Sequence, residues 1–179
     1  MGYALGVRTL YLLRHGEAGS HGPGEGDRDR VLLAAGRRAV EQIGAHLETR
    51  APSPSLVLCS AARRAVETLA AVRPFLSARE EQCEPGLYLA GSEDLLARIA
   101  EVDDAHAAVL VVGHNPGIGH LAYDLARPSD AEDYAQLQRS FPTASLAVLE
   151  CAVERWCDLA PHCAHLAELT TPAILAARR

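Results

Sequence analysis

The chain has 179 residues, 49% of them apolar, enough for one globular domain with a sizeable core and too many for a chain disordered throughout. Seventeen basic residues against 23 acidic ones leave a net charge of −6, which argues against nonspecific binding to nucleic acid or to an anionic membrane. All 17 basic residues are Arg, and the absence of Lys excludes a P-loop lysine, a Schiff-base lysine and a pyridoxal-type cofactor lysine.

Residues 1–179 read as a single domain, without internal repeat or linker. Five Cys, an odd number with no secreted framework, read as reduced thiols in a cytoplasm. The apolar run Leu10–Leu13 is too short for a signal segment or a membrane span. Gly6 stands where a myristoylation motif starting at Gly2 needs Ser or Thr.

In chain order, Thr9–Leu13 is a short β-prone apolar run followed by Arg14-His15-Gly16, which predicts a buried parallel strand opening into a loop. Gly16–Arg30, rich in Gly, is that loop and is expected to be mobile. Ala39, Val40, Ile43 and Leu47 at helical spacing predict a helix from about Ala34 to Thr49. Leu56–Cys59 predicts a second strand ending at Ser60, and Ala62–Phe75 a helix. Cys83–Leu89 is irregular or a short strand. Ser92–Val102 reads as a helix capped by Ser92.

Val109–Val112 is the clearest strand, stopping at Gly113-His114-Asn115-Pro116. Asn115 as cap and Pro116 at the first helical position then start a helix to about Arg127. Ser145–Ala152 and, more weakly, Arg155–Cys157 look like late strands. The alternation predicts an α/β sheet with helices on both faces and ligand binding beyond the carboxyl ends of the strands.

Three strand ends carry the unusual polar residues: Arg14-His15-Gly16, Ser60 with Arg64 one turn on, and His114-Asn115. If the strands are parallel neighbours, two guanidinium groups and two imidazoles share one crevice. Such a pocket suits a phosphate, because guanidinium matches phosphate oxygens bidentately. One imidazole, its other nitrogen bonded to a backbone carbonyl, can attack phosphorus. The other imidazole and the two Arg would stabilise the equatorial oxygens, with no metal required. The bland readings are a loop histidine, a solvated helix arginine and a core histidine, and the combination of three motifs outweighs them. Arg63, by contrast, reads as solvated. His21, His46 and His106 read as solvent-facing.

These residues resemble the histidine phosphatase (phosphoglycerate-mutase-like) superfamily. Leu12-Leu13-Arg14-His15-Gly16-Glu17 looks like its first motif, and Ser60-Ala61-Ala62-Arg63-Arg64-Ala65 with Glu67-Thr68 resembles its second. Val112-Gly113-His114-Asn115-Pro116 resembles the third. The resemblance implies a three-layer α/β/α sandwich with a mostly parallel sheet, phosphorylation of His15, and a phosphoryl group bound by Arg14, Arg64 and His114. Gly16, Glu17, Arg30, Ser60, Asn115 and Thr143 are further candidates for phosphate or substrate contact. Ala61 and Leu33 stand where the family carries Pro and a capping Thr.

The short chain, with Leu87-Tyr88-Leu89-Ala90 and Phe141-Pro142-Thr143-Ala144, is similar to the small bacterial phosphohistidine phosphatases. Tyr88 stands in the region where mutases carry an acidic residue. The expected activity is therefore a metal-independent phosphatase acting on phosphohistidine in a protein. Alternatives are a phosphatase of a small phosphorylated metabolite or nucleotide, or a non-catalytic phosphate-binding adaptor. Phosphate, sulfate and vanadate are expected ligands. No cofactor, metal, nucleic-acid or membrane partner is expected. Cys157, His162, Cys163 and His165 have donor types suited to zinc, but their spacing matches no standard zinc pattern.

Overall fold

In β1 (Arg8–Arg14) successive side chains leave opposite faces of the sheet, and both faces are covered. Leu10 and Leu12 enter one buried cluster, Tyr11 and Leu13 the other. The same alternation holds in β2 (Leu56–Ser60) and β4 (Ala108–Gly113), which is why all three read as unbroken apolar runs. The computed structural model describes residues 7–178; Gly2 and Gly6, with their myristoylation reading, lie outside them.

The remaining elements are α1 (Ala34–Glu48), α2 (Arg63–Val72), β3 (Glu80–Glu84), α3 (Ser92–Ala100), α4 (Gly117–Leu125), α5 (Glu132–Arg139), β5 (Leu146–Cys151), β6 (Ala164–Thr170) and α6 (Pro172–Ala177). The six strands form one sheet in the order β3-β2-β4-β1-β5-β6. β3, β2, β4 and β1 are parallel, and β5 runs antiparallel to both β1 and β6. Val40, Ile43 and Leu47 of α1 and Leu69 and Val72 of α2 cover one face. Leu95 and Ile99 of α3, Leu121 and Leu125 of α4 and Leu137 of α5 cover the other, giving an α/β/α sandwich. No helix among the described residues is long and apolar enough to cross a membrane.

Several local expectations are corrected. Arg155–Cys157 is no strand: Trp156–Asp158 forms a single 3-10 turn, with the Trp156 ring fully buried and its indole N–H bonded to the His106 carbonyl at 2.8 Å. The last strand is instead β6, where His165 and Ala167 alternate with buried Leu166 and Glu168. Ser92 does not cap α3; Gly91 is the cap residue, and its N–H donates to Asp94 Oδ2 at 3.3 Å. Asn115 does not cap α4, because its amide donates to the Phe141 carbonyl at 2.7 Å. α4 therefore starts at Gly117, with Pro116 before it. His46 and His106 are half-buried, bonded to Glu168 and Ser55. No group of three or more His, Cys, Asp or Glu able to hold a metal occurs among the described residues. Cys157 and His165 are exposed, and His162 Nδ1 donates to the Ala126 carbonyl at 3.0 Å.

Candidate active site

β2, β4 and β1 are consecutive in the sheet, so their carboxyl ends lie side by side. They bring together Ser60, Gly113-His114 and Arg14-His15. The His15 N–H continues the ladder to the Gly113 carbonyl at 3.0 Å, and the His15 carbonyl accepts the Ala144 N–H at 3.1 Å. Ala144 adopts φ 58°, turning the chain after Thr143 so that this bond can form. The nucleophile candidate thus hangs from backbone fixed on both sides.

The turn after His15 needs glycine for space. A Cβ on Gly16 would stand 2.7 Å from Val40 Cγ2, and one on Gly36 would stand 2.2 Å from the Glu17 carbonyl oxygen. Two missing side chains let the loop lie directly on α1. The Gly16 N–H donates to Thr68 Oγ1 at 3.0 Å, and the Thr68 hydroxyl donates to the Arg64 carbonyl at 2.7 Å. Thr68 so ties the loop to the helix that carries Arg64.

His15 is 8% exposed, His114 2% and Arg64 2%. The His15 and His114 ring centroids are 5.0 Å apart. His15 Nδ1 lies 2.7 Å from the Gly16 carbonyl, which can only accept, so Nδ1 carries the proton. That leaves a lone pair on Nε2, which accepts from Arg64 Nε at 3.3 Å. Burial, aided by Arg64, Arg14 and Arg30 and opposed by the Gly16 bond, lowers the His15 pKa to about 4. Burial first and His15 second lower that of His114 to about 3. Both rings are therefore neutral at pH 7.

His114 Nε2 shares a 2.7 Å hydrogen bond with Ser60 Oγ, which also accepts the Ala62 N–H at 3.3 Å. His114 Nδ1 and Arg14 Nε are buried with no hydrogen-bond partner. Arg14 is otherwise held by the Phe141 carbonyl, at 2.9 Å from Nη1.

Arg14, His15, Arg64 and His114 line a cavity of about 350 Å³ that also includes Glu17, Arg30, Asn115 and Thr143, whereas Ser60 is fully buried behind His114 and does not line it. Gly16 lies behind it, in the loop backbone. Glu17 is exposed on the rim, and its carbonyl accepts the Leu33 N–H at 2.9 Å. Arg30 reaches the cavity while bonded to Gly19, Ala18 and Asp27. Arg63 points outward and pairs with Glu67 at 3.0 Å. A second cavity of about 530 Å³, between α4 and α5, shares Asn115 with the first and is walled by Tyr123, His120 and Phe141.

Among the carboxylates of the cavity, Glu17 of the first motif stands on the exposed rim, and the loop supplies a second, Asp27, at the arginines. Asp27 accepts from Arg64 Nη2 at 2.9 Å, Tyr88 Oη at 2.7 Å and Arg30 Nη1 at 3.1 Å. Tyr88, then Arg30 and Arg64, hold its carboxyl well below the usual carboxylate range. Tyr88 presents its ring edge to His114 at 5.7 Å, and Arg28 stacks over the Tyr88 ring at 4.9 Å. Sequence reasoning missed Asp27 because Asp27-Arg28-Asp29-Arg30 looks like an alternating solvated run.

Residues 10–87 match the family model of the histidine phosphatase superfamily (branch 1). The solved structure of a protein described as "Putative Phosphohistidine Phosphatase SixA", from Nakamurella multipartitia, is 35% identical, covers 93% of this chain and 97% of its own, and superposes with a TM-score of 0.82. The chain belongs to the histidine phosphatase superfamily. A second structure so described, from Agrobacterium tumefaciens, is 31% identical over 92% of this chain and 98% of its own, with a TM-score of 0.76. An uncharacterized protein of Mycobacterium tuberculosis is 35% identical over 89% of this chain and 99% of its own. The family match together with the likeness to these structures makes the protein a phosphatase, a hydrolase of phosphoryl compounds, and the fold is the phosphoglycerate-mutase-like sandwich that the resemblance implies.

Proposed function

We propose that the protein hydrolyses phosphohistidine in a protein through a phosphorylated His15. One observation carries the chemistry: a buried imidazole whose Nδ1 is committed to a carbonyl, so that Nε2 faces Arg64 as a lone pair. Around it stand two buried nitrogens without hydrogen-bond partners, the donor Arg14 Nε and His114 Nδ1. A tetrahedral oxyanion supplies oxygens to both.

His15 Nε2 attacks phosphorus in line with the leaving group; the N–P bond forms as the bond to the leaving nitrogen breaks, and the substrate ring, protonated on its other nitrogen, departs as neutral imidazole. Arg14 and Arg64 hold the equatorial oxygens as their charge is redistributed. The Ser60 hydroxyl, already accepting from Ala62, donates to His114 Nε2 and leaves a proton on His114 Nδ1 for a third oxygen. Water then attacks phospho-His15, releasing phosphate and restoring the Nε2 lone pair. Arg30, Asn115, Glu17 and Thr143 border the substrate at the rim.

Substrate class follows from proton supply. Alkyl phosphate needs a protonated acid at its leaving oxygen, a contribution of about 10²–10⁴-fold. Asp27, the carboxyl bonded to Arg64, is held ionised and has no proton to give. Tyr88 directs its phenol proton to Asp27. Imidazole leaves as a far better group and tolerates this lack. The structures from Nakamurella multipartitia and Agrobacterium tumefaciens, both described as "putative phosphohistidine phosphatase", support the same class.

The test is phosphoryl trapping with a ³²P-labelled phosphohistidine protein. The expected label is acid-labile, stable in base and absent in His15→Ala. An acid-stable label, or full turnover by His15→Ala, refutes the assignment. A kcat/KM higher on alkyl phosphates than on phosphohistidine would move the substrate to a small metabolite.

A further inference from the structure

We infer that Asp27 is a positioning residue for the phosphoryl transfer: it clamps one edge of the Arg64 guanidinium so that the other edge is presented at His15 Nε2. The inference rests on the His15 reading above and adds to it the residue that aims the arginine.

Guanidinium is planar and offers its donors as forks along its edges. At the outer edge, Arg64 Nη1 donates to the Asp27 carbonyl at 2.6 Å, and Nη2 to Asp27 Oδ2 at 2.9 Å. At the adjacent edge, Nε points to His15 Nε2 at 3.3 Å. Nη2 has a second N–H on that same edge. Asp27 thus takes the Nη1/Nη2 fork and leaves the Nε/Nη2 fork for phosphoryl oxygens beside the nucleophile. One anionic residue holds the arginine without competing for the edge that the substrate needs.

The clamp is itself braced. Oδ2 also accepts from Tyr88 Oη, and Oδ1 accepts from Arg30 Nη1. Tyr88 follows a 3-10 turn beyond β3, Arg64 lies on α2, and Asp27 begins a 3-10 turn in the loop after β1. Three chain segments therefore meet on one carboxylate. Burial separates the roles: the Arg64 side chain is 3% exposed, whereas Asp27 is 43% exposed on the rim. Arg64 cannot rotate away without leaving a buried cation unpaired, and Asp27 can be replaced without disturbing the core.

Since the Asp27 carbonyl also holds Nη1, removing the carboxylate loosens the aim of Arg64 rather than releasing it. An ångström of misplacement costs about 10²-fold in such reactions. Asp27→Ala and Asp27→Asn are expected to lower kcat roughly 10- to 100-fold with KM changing less than threefold, Asn being the milder because its amide oxygen still accepts.

The deciding experiment is a double-mutant cycle with Arg64→Ala, read as kcat/KM on phosphoimidazole and as the dissociation constant of orthovanadate. If Asp27 acts through Arg64, Asp27→Ala adds less than a twofold loss in the Arg64→Ala background. Equal losses in both backgrounds overturn the inference. So does an unchanged kcat and vanadate affinity in Asp27→Ala with Arg64 intact. A purely structural role would appear as a lowered melting temperature and an equal loss in either background. Should the wild-type protein fail to form phospho-His15, the reading of His15 falls, while the vanadate arm still decides whether Asp27 works through Arg64.

Discussion

Acid titration of His15 tests the electrostatics of the site directly. Burial and three arginines lower its pKa from 6.5 to about 4, despite the Gly16 carbonyl bond that favours the charged ring. At roughly 1.4 kcal/mol per decade, charging the ring in the folded protein costs about 3 kcal/mol more than in water. At pH 5, about nine His15 rings in ten stay neutral, against roughly one in thirty for an unperturbed imidazole. The assay is a carbon-detected NMR titration of the His Cε1–H signals from pH 3.5 to 8, with His15 assigned by its absence in His15→Gln. The expected midpoint is near 4. The acid limb of kcat/KM attributable to this ring moves with it, well below the pH at which a solvated histidine would fail. A midpoint at 6 or above refutes the claim that desolvation and the arginines dominate.

The same shifts fix a stability slope. Unfolded histidine binds its proton near pH 6.5, whereas folded His15 and His114 bind theirs at about 4 and about 3. The unfolded chain therefore holds more protons through that window, and stability declines as pH falls from 6.5 towards 4. Urea unfolding at pH 7, 5.5 and 4.5 should show a decline that is smaller in His15→Gln; identical slopes would contradict the linkage. Arg64→Ala should lower kcat about 10²–10³-fold in steady-state assays, and a loss under tenfold would remove Arg64 from the transition state. Ser60→Ala should lower kcat about tenfold by freeing the His114 tautomer, with Ser60→Thr retaining activity; an unaffected Ser60→Ala would refute that proton placement. Gly36→Ala should lower the melting temperature, because its Cβ would meet the Glu17 carbonyl at 2.2 Å. A loss of about 1–3 kcal/mol is expected, and an unchanged melt would show that the loop is not pressed on α1.

Much of the site was legible because parallel strands write themselves plainly. Leu10–Leu13, Leu56–Cys59 and Val109–Val112 are apolar without interruption, and the polar residue that breaks each run marks its carboxyl end. The four-residue step from Ser60 to Arg64 separated the buried arginine from exposed Arg63. Late elements were harder to read. β6 alternates around His165 and Glu168, and Glu168 is buried by pairing with His46 and Arg50, a long-range arrangement with no local sign. Ser92 and Asn115 were misread as caps because Asp94, at the third helical position, bonds the Gly91 N–H instead, and the Phe141 carbonyl, 26 residues away, takes the Asn115 amide. Asp27 escaped notice for the same reason, since its partners lie 37 and 61 residues away.

The order β2-β4-β1 puts the groups at the centre of the pocket on three adjacent rails of backbone. Neighbouring rails sit about 4.8 Å apart, so the span from Ser60 to His15 is set by amide hydrogen bonding and not by side-chain choice. Selection cannot widen that gauge without tearing the sheet. Divergence towards new substrates must then be written in Gly16–Arg30 and the segment from α4 to Thr143, and grafting those stretches between relatives, with Asp27 kept in place, should trade substrate range while the phosphorus chemistry stays put.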